Sequence, residues 1–258
     1  MAESIPSCKR VLLRHLQNVG RGLKTVDHVL RGRVQSGESS PDHRHTHALS
    51  FAKVLVLVAI AGPLYGFAMG SFAGIEGSRS WSQQWQQMLY SGIKVPILIV
   101  MTLVISLPSF FVINTLFGLR DEFRESLRAI VSAQAGLAII LASMLPLTIL
   151  VYLSLSTEPT GYARCVIFNT FIFGLASVSA QVLLRKYYQP LIDRNPKQRI
   201  MVRFWIFIYA FVGIQAAYVL RPFIGSPNTP ISFFRDEPFE NAYVVVFRLT
   251  WNLFAAVN

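Results

Sequence analysis

Residues 94–119 read KVPILIVMTLVISLPSFFVINTLFGL, an apolar run whose one charge, Lys94, stands at its first position. A helix rises 1.5 Å per residue, so about 20 residues cross the ~30 Å hydrocarbon core of a bilayer. The stretch 95–118 meets that length. The rest of the chain agrees with it. Of the 258 residues, 53% are apolar and only 14% charged, against roughly 25% charged in a soluble domain. Mean hydropathy is +0.45. This composition excludes a disordered chain, a soluble globular domain and a disulfide scaffold.

Working outward from 95–118, apolar segments also stand near 52–74, 129–154, 164–184, 203–224 and 242–257. The last is short and carries Arg248, so it needs snorkelling to span. The expected fold is all-α: a polytopic transmembrane helix bundle of six spans. Pro96 lies near the expected first turn of the second span, where proline is tolerated. Pro108 lies deeper and should bend it.

The net charge of +11 then has a reading. Six spans divide the basic residues into 18 on one side (1–53, 119–128 and 185–203) and five on the other (Arg79, Lys94, Arg164, Arg221 and Arg235). Lys/Arg-rich loops stay cytoplasmic, which gives N-in/C-in topology with both termini cytoplasmic. The excess is thus an orientation signal, and no nucleic acid is expected as a partner.

Residues 1–34 form a region of their own. Leu12, Leu16, Val19, Leu23, Val26 and Leu30 recur at helical spacing, with Lys9, Arg10, Arg14, Arg21 and Lys24 between them. Such a basic amphipathic helix meets anionic lipid headgroups at the membrane surface, packs on its own protein or a second copy, or meets a soluble partner. Residues 35–50, QSGESSPDHRHTHALS, are a polar linker, and 51–258 the transmembrane domain. His43, His45 and His47 alternate in that linker, where no second shell fixes them; adventitious metal affinity is the expected reading. No cofactor or metal site is expected. Cys8 and Cys165 read as two unpaired thiols, and MAESIPSCKR opens no removable signal peptide.

The first span carries Gly62, Gly66, Gly70 and Gly74, one every fourth residue. A stripe of glycines lets a second helix approach to backbone contact, within the chain or in another copy. No Asp or Glu falls in any span. Asn114, Gln134, Asn169, Gln181 and Gln215 are the amides of the first five. If Asn114, Gln134, Gln181 and Gln215 converge on one cavity, they make a path; if neighbouring helices cap them, they are glue.

After the fifth span comes YVLRPFIGSPNTPISFFRDEPFE. Arg221 and Arg248 need acceptors, and Asp236, Glu237 and Glu240 are the nearest acids in sequence. The expectation is a charged, aromatic-lined cap on the outer face. It is either a clasp for the loop or a site for an anionic ligand or partner. No G-x-S-x-G, H-E-x-x-H or Walker A pattern occurs, and no histidine falls in a span, so no enzyme is expected.

Two stretches carry a resemblance. KVPILIVMTLVISLPSFFVINTLFGL looks like the Lys-x-Pro opening and Pro-Ser-aromatic interior of bacterial membrane proteins distantly similar to the Yip (Ypt-interacting protein) family. YVLRPFIGSPNTPISFFR resembles a Leu-Arg-Pro-Phe-x-Gly turn of uncharacterised multi-pass proteins of planctomycete-like bacteria. The resemblance implies a multi-pass protein of a bacterial inner membrane, and lends no activity. The function expected is therefore a non-catalytic scaffold, complex subunit or membrane-organising factor, partnered by the lipid bilayer and by a protein or a second copy. The alternative is a transporter or channel for a small solute or anion.

Overall fold

A computed structural model describes residues 26, 27, 29, 51–158, 160–226 and 230–234. Every regular element among them is helical: α1 (Phe51–Gly70), the single turn α2 (Phe72–Ile75), α3 (Trp81–Leu116), a 3₁₀ turn (Arg120–Glu122), α4 (Phe123–Ser143), α5 (Leu145–Leu155), α6 (Gly161–Arg194) and α7 (Gln198–Leu220). Four apolar helical stretches are long enough to cross a membrane: Trp81–Leu116, Arg120–Leu155, Gly161–Arg194 and Gln198–Leu220. These are the helices of an integral membrane protein.

Several boundaries differ from those expected. The helix over 95–118 starts 14 residues earlier, at Trp81. Its first turns are glutamine-rich, good helix formers too polar to register as a span. Ser80 starts it in an extended conformation, and its backbone N–H donates to Gln83 Oε1 at 3.3 Å. Pro96 is accordingly in the helix interior, not its first turn, and Lys94 is mid-helix rather than at an edge. The 129–154 span is two helices broken at Met144, because Pro146 occupies the start of α5. The first span ends at Gly70 rather than 74. The fourth runs well past 184, to Arg194. The fifth, expected over 203–224, runs Gln198–Leu220, and Arg221–Ile224 are non-helical. The sixth segment, 242–257, lies outside the described residues.

The helices pack in a row, α7 on α3, α3 on α1, α1 on α4 and α4 on α6. A helix with neighbours on two sides must be apolar on both. α1 meets this with Val58, Tyr65 and Met69 buried, while Val56, Ile60 and Leu64 stay exposed on its open face. Many other large apolar side chains are exposed, among them Val104, Ile167, Phe171 and Phe207. Such a girdle suits lipid, not water.

The α1–α3 crossing is the closest contact in the bundle. A Cβ added at Gly66 would lie 2.3 Å from the Ser91 carbonyl oxygen, and one at Gly70 2.7 Å from Met88 Cα. At Gly74 it would meet the Gln84 side chain at 2.3 Å, and at Gly62 the Pro96 ring at 3.3 Å. The four glycines thus face Pro96, Ser91, Met88 and Gln84 in turn, as antiparallel helices require. The stripe is used inside the chain.

Of the amphipathic region, Val26, Asp27 and Val29 are described, all helical. Val29 is fully buried in the core that holds Leu184, Tyr187 and Trp205, and its carbonyl accepts the Tyr187 hydroxyl. This short piece packs on its own protein. Lys9, Arg10, Arg14, Arg21 and Lys24 lie outside the described residues.

Candidate functional site

α3 outreaches its neighbour. With 36 residues it is about 54 Å long, well beyond the ~30 Å apolar core. α7 ends at Leu220, which packs beside Leu98 of α3. From there the chain leaves the helix and lies back along the exposed length of α3 toward Arg79. Trp81 and Trp85, edge to face at 5.5 Å, expose their rings at that far end, as aromatics at a membrane interface do.

Non-helical backbone among apolar helices must find its hydrogen bonds in the protein. The segment Arg221–Ser226 does so through side chains of α3, of α6 and of the loop before α3. Lys94 Nζ donates to the Pro222 carbonyl at 2.7 Å. Gln87 Nε2 donates to the Phe223 carbonyl at 3.3 Å, and Ser91 Oγ donates to the same oxygen at 2.5 Å. Tyr162 Oη reaches the Ile224 carbonyl at 3.5 Å, and Arg79 donates to the Ser226 carbonyl at 2.5 Å. Gly225 sits against Gln87, where a Cβ would come within 2.9 Å of that side chain. Partial burial lowers the pKa of the Arg79 guanidinium, with the Tyr162 phenol acting in the opposite sense. The segment is a strap, tied down carbonyl by carbonyl.

Lys94 is the centre of this site. Its side chain is fully buried. Its ammonium lies 4.8 Å from the centroid of the Phe233 ring, which packs edge to face on Tyr90 and on Phe234. No carboxylate lies within 4.0 Å of it among the described residues. A carbonyl and a ring face therefore stand where a buried ammonium ordinarily meets an acid.

Of the cap expected from sequence, Arg221 is described, and its guanidinium stacks 3.5 Å over the Tyr218 ring. Arg248, Asp236, Glu237 and Glu240 lie outside the described residues. The residues that hold the strap, Lys94, Gln87, Ser91, Arg79 and Tyr162, were not singled out from sequence. One signal was available: Gln84, Gln87 and Ser91 stand at spacings of 3 and 4, a polar stripe on one face of an otherwise apolar helix.

The amides elsewhere are mostly engaged. Asn169 Nδ2 donates to the Tyr152 hydroxyl and to the Cys165 carbonyl, both at 2.8 Å, and its Oδ1 accepts from Tyr65 at 3.0 Å. Tyr152 in turn donates to the Met69 carbonyl at 3.3 Å. One asparagine thereby ties α1, α5 and α6. Tyr209 of α7 donates to Gln134 Oε1 of α4 at 2.6 Å, and Asn114 donates to the Leu119 carbonyl at 3.1 Å. Asn114 and Gln134 thus bond to different partners, and Asn114 Oδ1, like Gln181 Oε1, is buried without a hydrogen-bond partner among the described residues. Asn169→Leu should leave the Tyr65 hydroxyl buried and unpaired. We expect it to destabilise the bundle by about 2 kcal/mol, measured by denaturant unfolding in detergent micelles, with Asn169→Gln intermediate.

Among the described residues no group of three His, Cys, Asp or Glu side chains is placed to hold a metal ion. All five histidines lie outside the described residues. No protein-family model, curated protein or solved structure matches this chain.

Proposed function

We propose that this chain is a non-catalytic membrane protein, a scaffold, complex subunit or membrane-organising factor. In this reading it has six spans, both termini cytoplasmic, and sits in a bacterial inner membrane. The observation that carries the reading is the use of the interior polar groups. Asn169, Gln134, Gln87 and Ser91 all bond to other helices or to the strap, and a group spent on holding helices together is not available to a passing solute. The 18-to-five division of basic residues supports the orientation, and the two quoted stretches are the ground for the bacterial membrane. The basic amphipathic helix would add a hold on anionic lipid, its far end anchored through Val29.

Transport of a small anion is the second reading, and Lys94 favours it. A buried ammonium with no carboxylate within 4.0 Å among the described residues is the kind of intramembrane charge that marks ion pathways. The two readings separate by experiment. Purification from native membranes at endogenous level should bring down a second protein in stoichiometric amount, and proteoliposomes of the chain should pass no chloride or phosphate. A chain that purifies alone and conducts an anion, with conduction abolished in Lys94→Met, would establish transport instead.

A further inference from the structure

At the opposite end of the bundle from Lys94, α6 and α7 are joined by the short turn at Asn195–Lys197. α6 packs chiefly on α4, and α7 chiefly on α3, so the two leave a groove between them. A recess of about 240 Å³ opens there, lined by Arg185, Arg199, Val202 and Arg203. A second, of about 470 Å³, shares Arg185 and adds Val182, Lys186 and Gln189. Arg185 is thus common to two recesses, which Arg199 and Arg203 line on one side and Lys186 on the other.

The carboxylates described nearby are engaged elsewhere. Glu125 pairs with Arg194 at 3.0 Å, Asp193 accepts from Gln189 at 2.8 Å, and Glu122 accepts from Gln198. No carboxylate lies within 4.0 Å of Arg185, Arg199 or Arg203 among the described residues. The first turn of α7 contains no acidic residue, though a helix N-terminus carries roughly half a positive charge of its own. Arg199 stands in that very turn, where a cation is disfavoured unless an anion joins it.

The surface beyond the arginines is apolar in a matching pattern. On α6 the residues in line with Arg185 are Val182, Val178 and Leu175, at spacings of 3, 4 and 3, and all three are exposed. On α7 Arg199 and Arg203 continue into Phe207 and Phe211 at spacings of 4, also exposed. Leu175 to Arg185 spans about 15 Å of helix, which is half of the ~30 Å hydrocarbon core, or one leaflet. A guanidinium fork suits the oxygens of a phosphate, and the apolar stripes suit the chains attached to it.

We propose that the α6–α7 groove is a binding site for one anionic phospholipid of the cytoplasmic leaflet, its phosphate held by Arg185, Arg199 and Arg203 and its acyl chains laid along Val182–Leu175 and Phe207–Phe211. The proposal rests on the orientation proposed above and does not depend on the chain being a scaffold. The test uses the full-length protein in nanodiscs of phosphatidylcholine doped with phosphatidylglycerol, with retained lipid counted by native mass spectrometry. The wild type should keep one phosphatidylglycerol in preference to phosphatidylcholine. Each basic residue near a lipid surface is worth about 1 kcal/mol, so the triple change Arg185→Gln, Arg199→Gln and Arg203→Gln should weaken retention roughly a hundredfold. Single Arg203→Gln, a lesser perturbation of the fold, should weaken it severalfold. A control that removes the same charge elsewhere, Arg120→Gln with Arg124→Gln and Arg128→Gln, should leave retention as it is. Equal retention of the two lipids, or equal loss in the triple variant and the control, would overturn the proposal. Displacement of the lipid by millimolar inorganic phosphate would show a site for the free anion instead, and overturn it likewise.

Discussion

A Gly66→Leu chain is expected to insert into the membrane and fail to reach its folded state. The added Cβ would fall 2.3 Å from the Ser91 carbonyl oxygen and 2.7 Å from Gly92 Cα. Both are backbone atoms, so no rotamer change relieves the clash, and the helices must separate. Separation breaks more than one contact. α3 also carries Gln87 and Ser91, which bond the strap on the same length of helix, and α1 carries the Tyr65 and Met69 partners of the Asn169 network. Overpacking a tight site costs about 1–3 kcal/mol where side chains can adjust; here they cannot, and the cost should exceed about 4 kcal/mol. Yield of monodisperse protein after detergent extraction measures it. The rest of the stripe should follow the distances. Gly70→Ala should cost nearly as much as Gly66→Ala, because its neighbour is also backbone. Gly74→Ala should cost less, because the Gln84 side chain can move, and Gly62→Ala least. Gly174 has nothing within 4 Å of a Cβ, so Gly174→Ala should be neutral or slightly stabilising through helix propensity. Normal yield of Gly66→Leu would mean that the α1–α3 crossing is not this close.

Lys94→Glu should release the strap. In the wild type two large effects nearly balance at this position. Burying an ammonium costs several kcal/mol. The charge-assisted bond to the Pro222 carbonyl returns about 2–3 kcal/mol, and the desolvated contact with Phe233 about 2 kcal/mol more. Removing charge and partners together, as in Lys94→Met, should therefore change stability by no more than about 1 kcal/mol. Glutamate is different. Its carboxylate would face a carbonyl oxygen and the negative face of a ring, with the same burial cost and neither attraction. The difference between the two variants should be several kcal/mol, and the Phe223, Ile224 and Ser226 ties would have to hold the strap. A cysteine at Ser226, in a chain with Cys8 and Cys165 changed to serine, reports the outcome through its rate of maleimide labelling. That rate should rise at least tenfold in Lys94→Glu and little in Lys94→Met. Equal rates in the two would mean that the Lys94 charge does not hold the strap.

The helices were legible in the sequence because membrane spans depend on length and apolarity alone: 164–184 falls wholly on an observed helix, and 95–118 and 203–224 do so up to Leu116 and Leu220. Their ends were not, because a helix continues wherever capping and propensity allow, whatever its hydropathy. Trp81–Ile93 is helix by virtue of its glutamines and the Ser80 start, and an apolar run gives no notice of it. The glycine stripe was legible as a packing face, but its partner was not. That partner needs Ser91, Gly92 and Pro96 to meet α1 in register, and the register becomes visible only when α3 is known to begin at Trp81. Lys94 was hidden by the same boundary: as the first residue of a span it is an interface lysine, whereas thirteen residues into a longer helix it is a buried charge. Its acceptor, Pro222, stands 128 positions away, and no local pattern connects the two. The acids expected to partner Arg221 lie outside the described residues; the contact described is with Tyr218, one helical turn back.

In the orientation proposed above, the helices cross a membrane with the arginine-rich ends of α4, α6 and α7 in the cytoplasm and the strap on the other face. Single cysteines in intact bacterial cells test it most directly, in a chain with Cys8 and Cys165 changed to serine. Ser78 and Thr157 are exposed at the strap end, and Arg120 and Lys197 at the arginine-rich end. Cysteines at Ser78 and Thr157 should react with a membrane-impermeant maleimide added outside, and cysteines at Arg120 and Lys197 only after the cells are opened. Labelling of Thr157→Cys and Lys197→Cys from the same side would contradict the account.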